Sequence, residues 1–61
     1  MYAIYCPDLK GKFRPLDLVN GKTTRLRWYA STFSTREEAK KVAAYLQERN
    51  VGVPFEVRKF Y

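Results

Sequence analysis

The chain has no histidine and a single cysteine, Cys6, and these two scarcities remove much of the chemistry open to a small domain. No intramolecular disulfide can form, no Cys/His zinc site can be assembled, and general acid or base work would fall to carboxylates. The three glycines, Gly11, Gly21 and Gly52, are scattered among turns, so no glycine-rich loop is present to cradle a phosphate. No stretch approaches the roughly 20 apolar residues that a membrane span requires, and Met1 to Lys10 lacks the charged start and long apolar run of a secretory signal. A secreted domain this short usually carries several disulfides, so a lone thiol favours a reducing interior. A soluble cytoplasmic protein without metal or cofactor is expected.

What the chain does have is aromatic and basic residues. One tryptophan, five tyrosines and four phenylalanines stand among 61 residues, 46% of which are hydrophobic, enough for one thin-cored folding unit spanning 1–61. Twelve Lys and Arg face six Asp and Glu, a net charge of +6 that favours polyanions or acidic protein surfaces. Six of the cations, Lys10, Lys12, Arg14, Lys22, Arg25 and Arg27, fall in the first 30 residues against only Asp8 and Asp17.

The element pattern is β-β-β-α-β. Tyr2 to Cys6 reads as a strand ended by Pro7 and the turn-forming Asp8-Leu9-Lys10-Gly11. Lys12 to Val19 and Lys22 to about Ala30 read as a hairpin around Asn20-Gly21, with Val19 facing Lys22, Pro15 facing Leu26 and Phe13 facing Trp28. Pro15, which cannot donate to a ladder, marks an edge, a bulge or a break. Thr35 and Glu38 have capping-box spacing, and Ala39, Val42, Ala43 and Leu46 follow at i, i+3, i+4, i+7, so a helix begins there and stops near Arg49 to Asn50, where Asn50 suits a left-handed cap. Phe55 to Phe60 returns to strand character. An α+β fold is expected, a small antiparallel sheet of three to four strands with one amphipathic helix on one face.

Alternation along the hairpin sorts Phe13, Pro15, Leu26, Trp28 and Ala30 to one surface and Lys12, Arg14, Arg25, Arg27 and Tyr29 to the other. The apolar set is expected under the helix and the basic set on the open face. Two registers of the first strand remain. A type I turn with a glycine bulge at Asp8–Gly11 puts Tyr2, Ile4 and Cys6 on the face of Arg14, Arg27, Leu16 and Leu18; a loop one residue different reverses them.

Lys12, Arg14, Arg25, Arg27 and Tyr29, extended by Arg58, form the candidate nucleic-acid-binding set. Arginine forks bind phosphate bidentately, and a tyrosine ring can stack on a base. The alternative is a solvated sheet face whose arginine stems cover apolar surface. Trp28 is either core under the helix or, if the faces are reversed, a stacking platform. Cys6 is a buried small hydrophobe or a nucleophile, the first being the commoner state of a lone cysteine. Glu37, Glu38 and Glu48 are accounted for by helix capping or a solvated face, so no enzymatic activity is expected.

The segment Trp28-Tyr29-Ala30-Ser31-Thr32-Phe33-Ser34-Thr35-Arg36-Glu37-Glu38-Ala39, followed by a helix and Phe55-Glu56-Val57, resembles small uncharacterised phage and prophage proteins over about half of the chain. Three strands before a helix also look like the amino-terminal arm-binding domains of phage integrases, from which the strand Phe55 to Phe60 departs. That resemblance implies DNA contact by Arg14, Arg25, Arg27 and Tyr29. The expected function is a small non-enzymatic nucleic-acid-binding accessory protein acting on DNA or RNA through a basic and aromatic sheet face. The competing expectation is a protein-binding module, such as a phage inhibitor docking on an acidic host or defence enzyme through a sheet edge or the Leu16, Leu18 and Tyr29 patch. Homodimerisation through strand edges is compatible with both.

Overall fold

A computed structural model describes all 61 residues, Met1–Tyr61. Strand β1 (Tyr2–Pro7) is central and is followed by β2 (Phe13–Asp17), β3 (Lys22–Thr23), a single 3-10 turn (Arg27–Tyr29), β4 (Thr32–Phe33), helix α1 (Arg36–Arg49) and β5 (Glu56–Lys59). The class is α+β, as the sequence pattern implies. Tyr2 pairs with both Phe33 and Lys59, and Tyr5 with both Pro15 and Glu56. One edge of β1 is therefore taken by β5, and β2 and β4 share the other end to end.

The link from β1 to β2 follows the glycine-bulge geometry. Gly11 N–H donates to the Asp8 carbonyl and Asp8 N–H to the Lys12 carbonyl, both at 2.9 Å, and Gly11 takes φ +82°, which an L side chain rarely adopts. The resulting register sets Cys6 opposite Arg14 and Pro7 opposite Phe13. Ile4, Cys6 and Leu16 consequently share a face, and this is the face α1 covers, through Ala39 with Val42, Ala43 and Leu46 packed against it. Phe55 and Val57 close the same cluster from the chain's last strand and its approach.

The faces are thus the reverse of the sequence expectation. Phe13 and Pro15, opposite Pro7 and Tyr5, lie on the side away from the helix. Trp28 and Leu26 are not beneath α1 at all: they are 76% and 44% exposed. Strands β1 and β2 offered the helix an apolar surface of Ile4, Cys6 and Leu16, which packs against Val42 and Leu46 without the polar N–H that a buried indole would need to pair.

The hairpin also differs. Asp17, not Val19, faces Lys22, and Leu16 faces Thr23, a shift of two residues from the register expected of a two-residue Asn-Gly turn. The cause is Asp17. Its buried carboxylate accepts the N–H groups of Val19 at 3.1 Å and Asn20 at 3.2 Å and the Asn20 side-chain amide at 2.6 Å, while its carbonyl accepts Gly21 N–H at 2.8 Å. This network closes a four-residue loop in which only Gly21, φ +68°, has a positive φ, so the paired positive angles of a type I′ turn never arise. Past Thr23 the strand ends, because Thr24 Oγ1 captures Leu26 N–H at 3.1 Å and the chain enters the 3-10 turn. A strand reaching Ala30 does not form.

Helix α1 starts as expected. Thr35 Oγ1 accepts Glu38 N–H at 3.2 Å, and the Glu38 carboxylate in turn accepts the hydroxyls of Ser34 at 2.8 Å and Thr35 at 3.2 Å. At the other end Asn50 caps with both its backbone N–H and its side-chain amide on the Leu46 carbonyl, each at 2.9 Å, with a negative φ of −130°. The left-handed angle expected at Asn50 is taken by Gly52, φ +90°. No helix is long and apolar enough to cross a membrane.

Asp8, Asp17 and Glu38 all hold their carboxyls below the ordinary value, chiefly through hydrogen bonds from Lys12 N–H, the Asn20 amide and the Ser34 hydroxyl respectively. A carboxyl whose pKa is depressed on folding contributes its full stabilisation above the unfolded value, near 3.8 for aspartate and 4.5 for glutamate, and loses it as pH falls through the folded value. The urea midpoint is expected to be level from neutral pH down to about pH 5 and to fall below about pH 4. Asp17→Asn starts from a lower midpoint at neutral pH and shows a shallower acid fall, since its amide cannot titrate. An unchanged acid profile in that variant would remove Asp17 from the account.

Candidate nucleic-acid interface

The expected basic cluster is divided by the structure into three places. Lys12, Arg14 and Arg25 rim a groove of about 910 Å³ on the helix side of the sheet, beyond the carboxyl end of α1. Arg27 and Tyr29 lie in the 3-10 turn. Arg58 lies on the opposite face of the sheet, level with Ala3.

The groove is built by four stretches that meet because of the two turns. The glycine-bulged turn presents Lys10 and Lys12, β2 presents Arg14, β3 begins with Lys22, and the segment leaving β3 carries Arg25. Its floor is apolar, with Cys6 and Leu16 from the sheet and Leu46, Val53 and Phe55 from the helix end and the connection to β5. Lys10, Lys12, Lys22 and Arg25 are exposed, and Arg14 is half-buried. Sequence reasoning did not single out Lys10 and Lys22. Their signal was available as the first cation inside each turn, flanking Gly11 and following Gly21.

Asp8 is the one carboxylate on the groove, and its acceptors are engaged. Oδ1 receives the backbone N–H groups of Lys10 at 2.9 Å and Lys12 at 3.0 Å. Oδ2 lies 3.6 Å from Arg14 Nε, which is shielded from solvent and makes no hydrogen bond, so this contact is one of charge alone. Asp8 therefore shapes the turn and offsets one of the five cations. At the helix end, the negative pole of its dipole, the Leu46 carbonyl accepts both the backbone N–H and the side-chain amide of Asn50. Five cations against one carboxylate leave the groove lining with an excess of positive charge.

Arg58 belongs to a different arrangement. Its guanidinium sits 4.9 Å from the Tyr5 ring centroid and 5.1 Å from that of Phe13, and Nη2 is 3.2 Å from Glu56 Oε2. It thereby screens the aromatic side of the sheet away from the helix. Arg27 is also engaged, with its guanidinium 4.2 Å over the Phe60 ring and Nη2 donating to the Phe60 carbonyl at 3.3 Å. Arg14 and Arg27 do not oppose one another across a ladder, because β3 ends before Arg27.

Cys6 packs in the core beside Ile4 and Leu16, where burial pushes its thiol pKa up from the ordinary value. It is a protonated, apolar side chain at neutral pH, in keeping with the buried-hydrophobe reading. No group of three or more His, Cys, Asp or Glu side chains lies close enough to hold a metal ion. Comparison with protein-family models, with curated proteins and with solved structures found no match to this chain.

Proposed function

We propose that the chain is a small non-enzymatic nucleic-acid-binding accessory protein that holds a phosphate backbone in the groove at the carboxyl end of α1. The observation that carries this reading is the convergence of Lys10, Lys12, Arg14, Lys22 and Arg25 on one groove whose single carboxylate is already engaged. Like charges gathered by folding repel one another, and a polyanion relieves that repulsion along its whole length while releasing its own counterions. The apolar floor suits sugars and base faces between the phosphates. The binding surface of this reading is the groove, not the open face of the sheet.

Salt dependence tests it. Five phosphate contacts give log K against log salt a slope of about −3.5 for a single strand and about −4.5 for a duplex. Raising salt from about 50 mM to about 200 mM is then expected to weaken single-strand binding on the order of 100-fold, measured by fluorescence anisotropy. Binding that does not respond to salt, or no binding at low salt to single-stranded DNA, duplex DNA or RNA, rejects the proposal.

The apolar floor favours one second reading, an acidic protein segment with a hydrophobic anchor seated between the cations. A stoichiometric partner that survives nuclease treatment of a host lysate, and is lost when Leu46 on the floor is replaced by lysine, would support that reading over nucleic acid.

A further inference from the structure

Trp28 is the only tryptophan of the chain and is 76% exposed, an unusual position for the residue with the largest apolar surface. It does not sit on a loose loop. The 3-10 turn that carries it closes with Tyr29 N–H on the Leu26 carbonyl and Ala30 N–H on the Arg27 carbonyl, both at 3.1 Å. Arg27 pins the turn to the end of the sheet through its contacts with the ring and carbonyl of Phe60. Tyr29, 52% exposed, sets its ring 6.1 Å from the indole at 46°, so the two rings present differently tilted faces to solvent. Beside them Arg27, Trp28, Phe60 and Tyr61 line a shallow cleft of about 350 Å³.

The placement of this turn relative to the groove matters as much as its exposure. Arg25 is on the groove rim and Trp28 is three residues further on, at most about 11 Å away along the backbone. A strand whose phosphates leave the groove at Arg25 would have the Trp28 backbone within about 11 Å. In a duplex the bases are stacked on each other and offer no free face, whereas an unpaired base can lie on an aromatic ring.

We infer that the Trp28–Tyr29 turn is a base-stacking platform that continues the groove, and that the ligand class is single-stranded nucleic acid. This rests on the groove reading above and narrows it. Trp28 supplies the apolar face, Tyr29 a second one, and Arg27 is a positioning residue that holds the turn in place. Charge complementarity favours this occupant, since Arg25 and Arg27 immediately precede the rings in the chain and no Asp or Glu side chain lines the cleft or the turn.

The test uses the whole chain with a short oligothymidylate and, separately, a duplex of equal length. The intrinsic emission of the lone tryptophan is expected to be quenched by the single strand and unaffected by the duplex. Trp28→Ala is expected to weaken single-strand binding roughly five- to 150-fold, the loss of one base–aromatic stack, with an unchanged salt slope because no phosphate contact is removed. Trp28→Phe retains a ring and is expected to restore most of the affinity, which separates stacking from any local effect on the turn. Salt-dependent binding with unchanged emission, and Trp28→Ala within twofold of the parent, would overturn the platform and leave the groove standing. Equal binding and quenching by duplex would overturn the single-strand assignment. Failure of both ligands to bind at low salt would overturn the groove itself.

Discussion

Simultaneous replacement of Lys12, Lys22 and Arg25 by alanine is expected to weaken single-strand binding on the order of 500-fold at about 50 mM salt. Each phosphate contact on a single strand contributes about 0.7 to the salt exponent, so three contacts at that salt amount to nearly three decades. The slope is expected to fall from about −3.5 to about −1.4, which distinguishes lost phosphate contacts from an unfolded protein. The three side chains are exposed, and none belongs to the apolar cluster, so the variant keeps its fold, checked by the same thermal transition as the parent. Lys40→Ala with Lys41→Ala, on the exposed side of α1 away from the groove, removes two charges against three and is expected to change affinity far less than two-thirds as much on a logarithmic scale. If the two variants lose affinity equally per charge removed, binding follows net charge rather than the groove, and the site assignment fails.

The largest loss of stability is expected from Ile4→Ala. Ile4 is 1% exposed and stands at the centre of the cluster formed with Cys6, Leu16 and Ala39. Truncating a buried isoleucine costs about 2–5 kcal/mol, the lost transfer energy plus the cavity left behind. A core in a domain of this length rarely supplies more than about 3–5 kcal/mol, so the variant is expected to be largely unfolded or to melt well below the parent by circular dichroism. Trp28→Ala is the informative comparison. A strand-borne, helix-covered Trp28 would make it comparably severe, whereas an exposed Trp28 makes it near neutral, within about 0.5 kcal/mol. A large loss at Trp28 with a small one at Ile4 would place the core on the other side of the sheet.

The helix was the most legible element, because everything that specifies it is local. The Thr35 cap, Glu37 and Glu38 in the first turn, and the Ala39, Val42, Ala43 and Leu46 stripe all act within a few residues of one another. The glycine-bulged turn at Asp8–Gly11 was legible as one of two alternatives, and it alone decides which side chains of β1 face Leu16. The Asn-Gly signal misled by two residues, since a side-chain acceptor just before the turn outweighed the preference of the dipeptide. That shift preserved the alternation of Arg14 and Leu16, while the Thr24 hydroxyl ended the third strand early and released Arg27, Trp28 and Tyr29 from any ladder.

Of the five cations on the candidate groove, the sequence pattern singled out Lys12, Arg14 and Arg25 but not Lys10 or Lys22, and it placed them on the opposite face. The sequence alone set six cations against only two acids in the first 30 residues and supplied the aromatics, because charge and ring content do not depend on folding. Where those groups meet was decided by tertiary structure: two turns, a buried Asp17 and the choice of face by α1 gathered Lys10, Lys12, Arg14, Lys22 and Arg25 around one groove and left Trp28 in solvent. Alternation along a strand determines which residues share a side, but which side is covered depends on the packing of a helix far along the chain, and that is a comparison of two surfaces no single segment contains.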